Sequence, residues 1–215
     1  MMQLELDHII PEPLKGRVGQ QDSEVWNCRQ TITPGETVFL RAPSGKGKST
    51  FMHILYGLRG DYEGKAFWDG KEIGKLGDSQ WAALRSRELS IVFQDLRLFG
   101  DLSVAENLEI KQSLTHTVTM DQARAWLQLL GLEGKWEQKA ETLSYGERQR
   151  VAIVRCLLQP FQWLLLDEPF SHLDDENAGR AAKLIWQQVQ VNKAGMLVVD
   201  LEHNDWFPYT RKMLL

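Results

Sequence analysis

Two cysteines in 215 residues, Cys28 and Cys156, lie far apart and without metal-type spacing, so neither a disulfide framework nor a cysteine metal site is expected. Long apolar runs are missing too. Stretches such as Trp163 to Leu166 and Met196 to Val199 fall far below the roughly 18 residues needed to span a bilayer. Lys and Arg number 25 against 29 Asp and Glu, a net charge of -4 with no basic block, so nucleic acid is not an expected partner. The first ten residues carry Glu5, Asp7 and His8 where a secretory signal would need an apolar core, and a cytoplasmic setting is expected. What is present, 43% apolar and 25% charged residues, is the composition of a chain that buries a core.

Brief apolar runs at Thr37 to Leu40, Ile91 to Phe93, Trp163 to Leu166 and Met196 to Leu201 predict buried strands of a mostly parallel sheet. Helical spacing recurs between them: Phe51, Ile54, Leu55 and Leu58; Ala123, Trp126, Leu127 and Leu130; Ala178, Ala181, Ala182 and Ile185. The second of these helices starts at Thr119-Met120-Asp121-Gln122, which reads as a capping box, and stops at Gly131. Strands alternating with helices argue for an α/β core, while Leu102 to Leu158 carries helical signals alone. Alternating Leu4, Leu6 and Ile9, with a turn at Thr33-Pro34-Gly35, predict a small antiparallel sheet at the front.

Ala42-Pro43-Ser44-Gly45-Lys46-Gly47-Lys48-Ser49-Thr50 follows one predicted strand and precedes a helix, the setting of a phosphate-binding loop. Glycines let successive N–H groups turn toward an anion, and the helix N-terminus adds its positive dipole end. Lys48 would reach the β- and γ-phosphates and Ser49 would ligate Mg2+. The first glycine of the usual pattern is Ala42 here.

Asp167 and Glu168 end the apolar run Trp163 to Leu166, the place where open α/β sheets bind ligands. Asp167 suits a metal-holding role, and Glu168 can deprotonate an attacking water. In Thr142 to Arg150, Ser144 and Glu147 form a predicted capping box, and the helix start with its free hydroxyl and Gly146 is also an anion site.

Taken in order, these segments resemble the ABC (ATP-binding cassette) ATPases over essentially the whole chain. Gln94 in Ile91-Val92-Phe93-Gln94-Asp95 is similar to the Q-loop, Leu143 to Glu147 to the signature motif, Asp167-Glu168 to the Walker-B pair, Ser171-His172-Leu173-Asp174 to the D-loop and His203 to the switch histidine. Leu84 to Phe93 and Leu98 to Leu108, with Glu106-Asn107, resemble the branch that serves lipoprotein release, macrolide export and cell division.

The resemblance implies a single nucleotide-binding domain over 1–215: a P-loop NTPase core with an N-terminal antiparallel β subdomain (1–94 and 159–215) and an inserted α-helical subdomain (95–158). It implies ATP and Mg2+ as ligands. Pro43 to Thr50 would hold the phosphates, Ser49, Gln94 and Asp167 the metal, and Glu168, Gln94 and His203 the chemistry. Ser144 and Gly146 would serve the nucleotide of a second subunit, with a homodimer expected, and a transmembrane permease would hold the pair on the cytoplasmic face of the membrane. Tyr145 and Glu147 depart from the family's Gly and Gln, and no aromatic occupies the adenine-stacking position near Pro13 to Lys15. These departures leave a second class open, a regulatory ATP-binding module with little turnover. Soluble DNA-repair or ribosome-associated ATPases are disfavoured by the single cassette and the absence of a coiled-coil insertion.

Overall fold

The computed structural model describes residues 2–16 and 23–215. A parallel sheet forms the centre, in the order β6 (Leu89–Val92), β7 (Trp163–Asp167), β8 (Gly195–Asp200), β3 (Thr37–Arg41) and β9 (Arg211–Leu214). Side chains alternate across a strand, so each apolar strand feeds two cores. Phe39, Leu164, Leu166, Met196 and Val198 pack on one face against α5 (Tyr145–Leu157) and α6 (Asp175–Asn192). Val38, Leu40, Leu165, Leu197 and Val199 pack on the other face against Phe51, Ile54 and Leu55 of α1 (Lys48–Leu55).

The front sheet is antiparallel, ordered β2 (Arg29–Ile32), β1 (Leu4–Pro11), β4 (Tyr62–Trp68) and β5 (Lys71–Glu72), with Leu4 opposite both Ile32 and Trp68. It extends beyond the first 40 residues, since β4 and β5 follow α1. The Thr33-Pro34-Gly35 turn leads from this sheet into β3, and Gly35 adopts φ +84°. Helix α2 (Asp78–Arg87) then crosses to β6. Helices α3 (Val104–Gln112), α4 (Met120–Leu129) and α5 follow one another with no strand between them, as expected for Leu102 to Leu158.

Two helix boundaries differ from the sequence expectation. The run containing Phe51 and Leu55 does not carry on to Leu58, because Gly57 turns left-handed at φ +72° and leaves Leu58 exposed. The start of α4 is a single cap: the Thr119 hydroxyl accepts from the Gln122 amide at 3.2 Å, and no return bond from the Gln122 side chain is present among the described residues. Gly131 is left-handed as expected, at φ +70°. Gly57 is held doubly, since a Cβ there would run into the Trp81 ring. Gly57→Ala is therefore expected to destabilise the chain by about 3 kcal/mol, overpacking and left-handed strain together, as a lower urea midpoint with an unchanged slope.

Candidate functional site

Strands β3 and β7 are not neighbours; β8 lies between them, and its end ties the two together. The Ala42 amide donates to the Asp200 carbonyl at 2.9 Å, and the Glu168 amide to the Val199 carbonyl at 2.9 Å. The loop after β3 and the acid pair after β7 thus share one end of the sheet. Ala42 is fully buried, so its methyl is packed into the core where the usual pattern has glycine. Gly45 and Gly47 take φ +78° and +94°, and a Cβ on Gly47 would lie 2.8 Å from Leu14 and 3.1 Å from Trp26.

Lys48 opens α1 and is almost completely buried. Its Nζ donates to the Ala42 carbonyl at 3.0 Å and the Pro43 carbonyl at 3.5 Å, and pairs with Glu168 Oε1 at 3.3 Å. Glu168 itself is left-handed at φ +49°, a conformation uncommon for a non-glycine residue and found preferentially at working sites. Its Oε2 accepts from Gln94 Nε2 at 3.5 Å, and Gln94 Oε1 accepts from the Ser49 hydroxyl at 3.1 Å. A cleft of about 570 Å³ is lined by Ser44, Gly45, Gly47, Lys48, Ser49, Thr50, Gln94 and Glu168, with Pro13, Leu14, Arg59 and Leu201 at its margin.

Asp167 is 1% exposed, and burial pushes its carboxyl up to about 6; the nearby Ser49 hydroxyl opposes that shift and the charge of Glu168 adds to it. Its Oδ1 is buried with no hydrogen-bond partner. Ser49, Gln94 and Asp167 also line a second, adjoining cleft of about 380 Å³. A buried orphan carboxylate oxygen beside a hydroxyl and an amide oxygen is a donor set that fits a hard divalent cation such as Mg2+, which takes oxygen ligands and few carboxylates.

The remaining residues singled out by sequence lie elsewhere. Ser144 caps α5: its Oγ accepts from the Glu147 amide at 3.3 Å, and the Ser144 amide donates to Glu147 Oε2 at 2.8 Å. Neither Ser144 nor Gly146 lines the cleft of its own chain. Gly146 is required by packing, since a Cβ there would sit 2.8 Å from the His172 carbonyl. Asp174 caps α6 by accepting from the Asn177 amide at 2.8 Å. His203 is not brought to the cleft; its Nδ1 lies 3.6 Å from Asp205 and its ring packs edge-on to Phe39. Lys46 contributes its carbonyl, which accepts from Trp26 Nε1 at 3.1 Å.

Two structural contributors, Trp26 and Gln149, were not picked out from sequence. Trp26 supports the loop from below through that bond and its edge contact with Phe51. Pro13 and Leu14 provide the apolar margin where no stacking aromatic was found. Gln149, buried in α5, donates to the Glu168 carbonyl at 3.1 Å and accepts from the His172 amide at 3.2 Å. Neither Trp26 nor Gln149 has a local signature; each acts through a partner distant in sequence.

The Glu147 that replaces the family's Gln is the return arm of the cap on α5. The amide and hydroxyl of Ser144 hold its carboxyl below the usual value, and the ion pair with Lys135 at 3.1 Å adds to this. A lowered acid pKa stabilises the fold above the unfolded value, and that stability is lost as pH falls through the folded one. Glu147→Ala is expected to cost about 1 kcal/mol at pH 7, and the gap from wild type to close below about pH 4.5, in urea titrations run across that range.

The sequence profile described as ABC transporter matches residues 25–171. The lipoprotein-releasing system ATP-binding protein LolD of Nitratidesulfovibrio vulgaris is 35% identical over 178 residues, covering 81% of this chain and 75% of that protein. A dimeric bacterial ABC transporter cassette superposes with a TM-score of 0.77 at 25% identity, over 93% of this chain and 88% of that one. A dimeric post-hydrolysis cassette bound to ADP and Pi superposes with a TM-score of 0.75 at 25% identity, over 94% and 88%.

Proposed function

The chain belongs to the ABC transporter family as an ATP-binding and ATP-hydrolysing subunit, and we propose that it works as one half of a homodimer with two shared sites. In this reading Lys48 and the amides of the 43–50 loop hold the phosphates. Ser49, Gln94 and Asp167 offer their oxygens to Mg2+, which when bound neutralises charge on the phosphate oxygens. Ser144 and Gly146 of the second copy close the site with a hydroxyl and a helix N-terminus. The observation that carries the reading is the division of the groups: Lys48, Gln94 and Glu168 converge within 3.5 Å, whereas Ser144 and Gly146 lie outside their own cleft.

The chemistry follows from the buried acid. Phosphate oxygens entering the loop give Lys48 new anionic partners, and Glu168, no longer held by it, faces the attacking water. Glu168 takes a proton from that water as its oxygen bonds to the γ-phosphorus; the bond to the β–γ bridging oxygen breaks, leaving ADP and phosphate. His203 joins by turning from Asp205 toward the γ-phosphate, from a segment whose Leu201 already lines the cleft. Residues 95–158 act as the arm that presents Ser144, and 1–94 with 159–215 as the body that binds nucleotide.

A permease at the cytoplasmic face of the membrane is the partner of this dimer. A groove of about 220 Å³ lined by Phe93, Arg97, Phe99, Ile110 and Leu114 suits it, since Phe99, Ile110 and Leu114 are exposed apolar side chains beside a cation. The similarity to LolD proteins supports lipoproteins as the cargo that the permease handles. Glu168→Gln is expected to reduce phosphate release by at least about 100-fold and to leave an ATP-dependent dimer on gel filtration. Release at the wild-type rate would remove Glu168 from the role of base.

A further inference from the structure

Tyr145 stands beside the capping serine, and its two ends are fixed by groups outside α5. The phenol donates to the main-chain carbonyl of Gln94 at 2.7 Å. The ring lies against His172, with centroids 4.0 Å apart at 42°, and the Arg148 guanidinium sits 5.4 Å from its centre. Gln94 is also the residue whose side-chain oxygen meets the Ser49 hydroxyl, and Tyr145 shares the cleft formed by Ser49, Gln94 and Asp167. A run of direct contacts therefore leads from the metal-facing oxygens, through Gln94 and Tyr145, to Ser144 of the same chain.

The backbone after Gln94 is held in an uncommon conformation. Leu96 and Arg97 are successive left-handed non-glycine residues, at φ +60° and +51°, a conformation that persists only where surrounding contacts impose it. Arg155 imposes it here by donating to both of their carbonyls at 2.6 Å. A segment with stored strain, clamped on one side by Arg155 and tied on the other by Tyr145, has the character of an element with two arrangements.

We propose that Tyr145 is a positioning residue that couples occupancy of the chain's own nucleotide–metal site to the placement of Ser144, and hence to the site of the second copy. The inference rests on the shared-site reading above. Were Ser49 and Gln94 to hold the metal, they would give up the hydrogen bond between them and the Gln94 side chain would shift; the phenol, fixed to the adjacent carbonyl, would carry that shift to the first turn of α5. Each subunit in this way reports its own loading to its neighbour through a side chain, where the resembling family has glycine and no such link.

Hydrogen–deuterium exchange on the purified full chain tests this with ADP plus Mg2+ against ADP plus a chelator, because ADP without a γ-phosphate keeps the readout within one chain. Mg2+ is expected to change exchange at 143–150 by about fivefold in wild type, the ratio one neutral hydrogen bond sustains. Tyr145→Phe keeps the ring on His172 and removes only the hydroxyl; it is expected to abolish that response while ADP still protects 44–50. Gln94→Ala, which retains the carbonyl but loses the metal-facing oxygen, is expected to do the same from the other end. An equal response at 143–150 in wild type and Tyr145→Phe, or no response in wild type, overturns the coupling. Loss of protection at 44–50 in wild type overturns instead the nucleotide site on which it rests.

Discussion

The buried pair of Lys48 and Glu168, 3.3 Å apart, is the contact on which the rest of the site depends. Charges in so dry a place are costly unless each is compensated, and both are: Lys48 by two loop carbonyls, Glu168 by Gln94. The pair exists because the sheet order inserts β8 between β3 and β7, and two carbonyls at one end of β8 accept from the Ala42 and Glu168 amides that follow those strands. Lys48 is thereby kept close to a carboxylate that a phosphate can replace. Asp167, one residue earlier, has no such compensation on Oδ1 and stays a strong candidate for a cation.

Much of this was legible in the sequence, where the signal is local. Strand runs, the glycines of the loop and the cap at Ser144 depend on a few adjacent residues, and the structure contains them. The parts that were not legible depend on distant partners. Strands β4 and β5 are polar over much of their length and form by pairing with β1, and β9, with Arg211 and Lys212 in four residues, is an edge strand recruited by β3. Leu58 shows the opposite failure: its spacing is helical, yet a glycine packed under Trp81 stops the helix first.

The departures from the family pattern also acquire physical reasons. Ala42 is absorbed by the core, Glu147 completes a reciprocal cap, and Tyr145 bridges to Gln94. Gly146 is retained because α5 begins in contact with the backbone after β7, and Gln149 reinforces that contact from one turn further on. The start of α5 and the segment bearing Glu168 are in this way built as one unit, so in the proposed dimer the serine offered to the neighbour and the acid of its own chain would share their supports.

In the proposed dimer each site takes its phosphate loop from one copy and its serine from the other. Mixing two inactive variants tests it most directly. Lys48→Ala disables the loop of its own chain, and Ser144→Arg disables the serine supplied to the neighbour; a mixed dimer regains one intact site, in which the Ser144→Arg chain brings Lys48 and the Lys48→Ala chain brings Ser144. Phosphate release is predicted to reappear on mixing. A mixture as inactive as either variant alone would contradict the shared site.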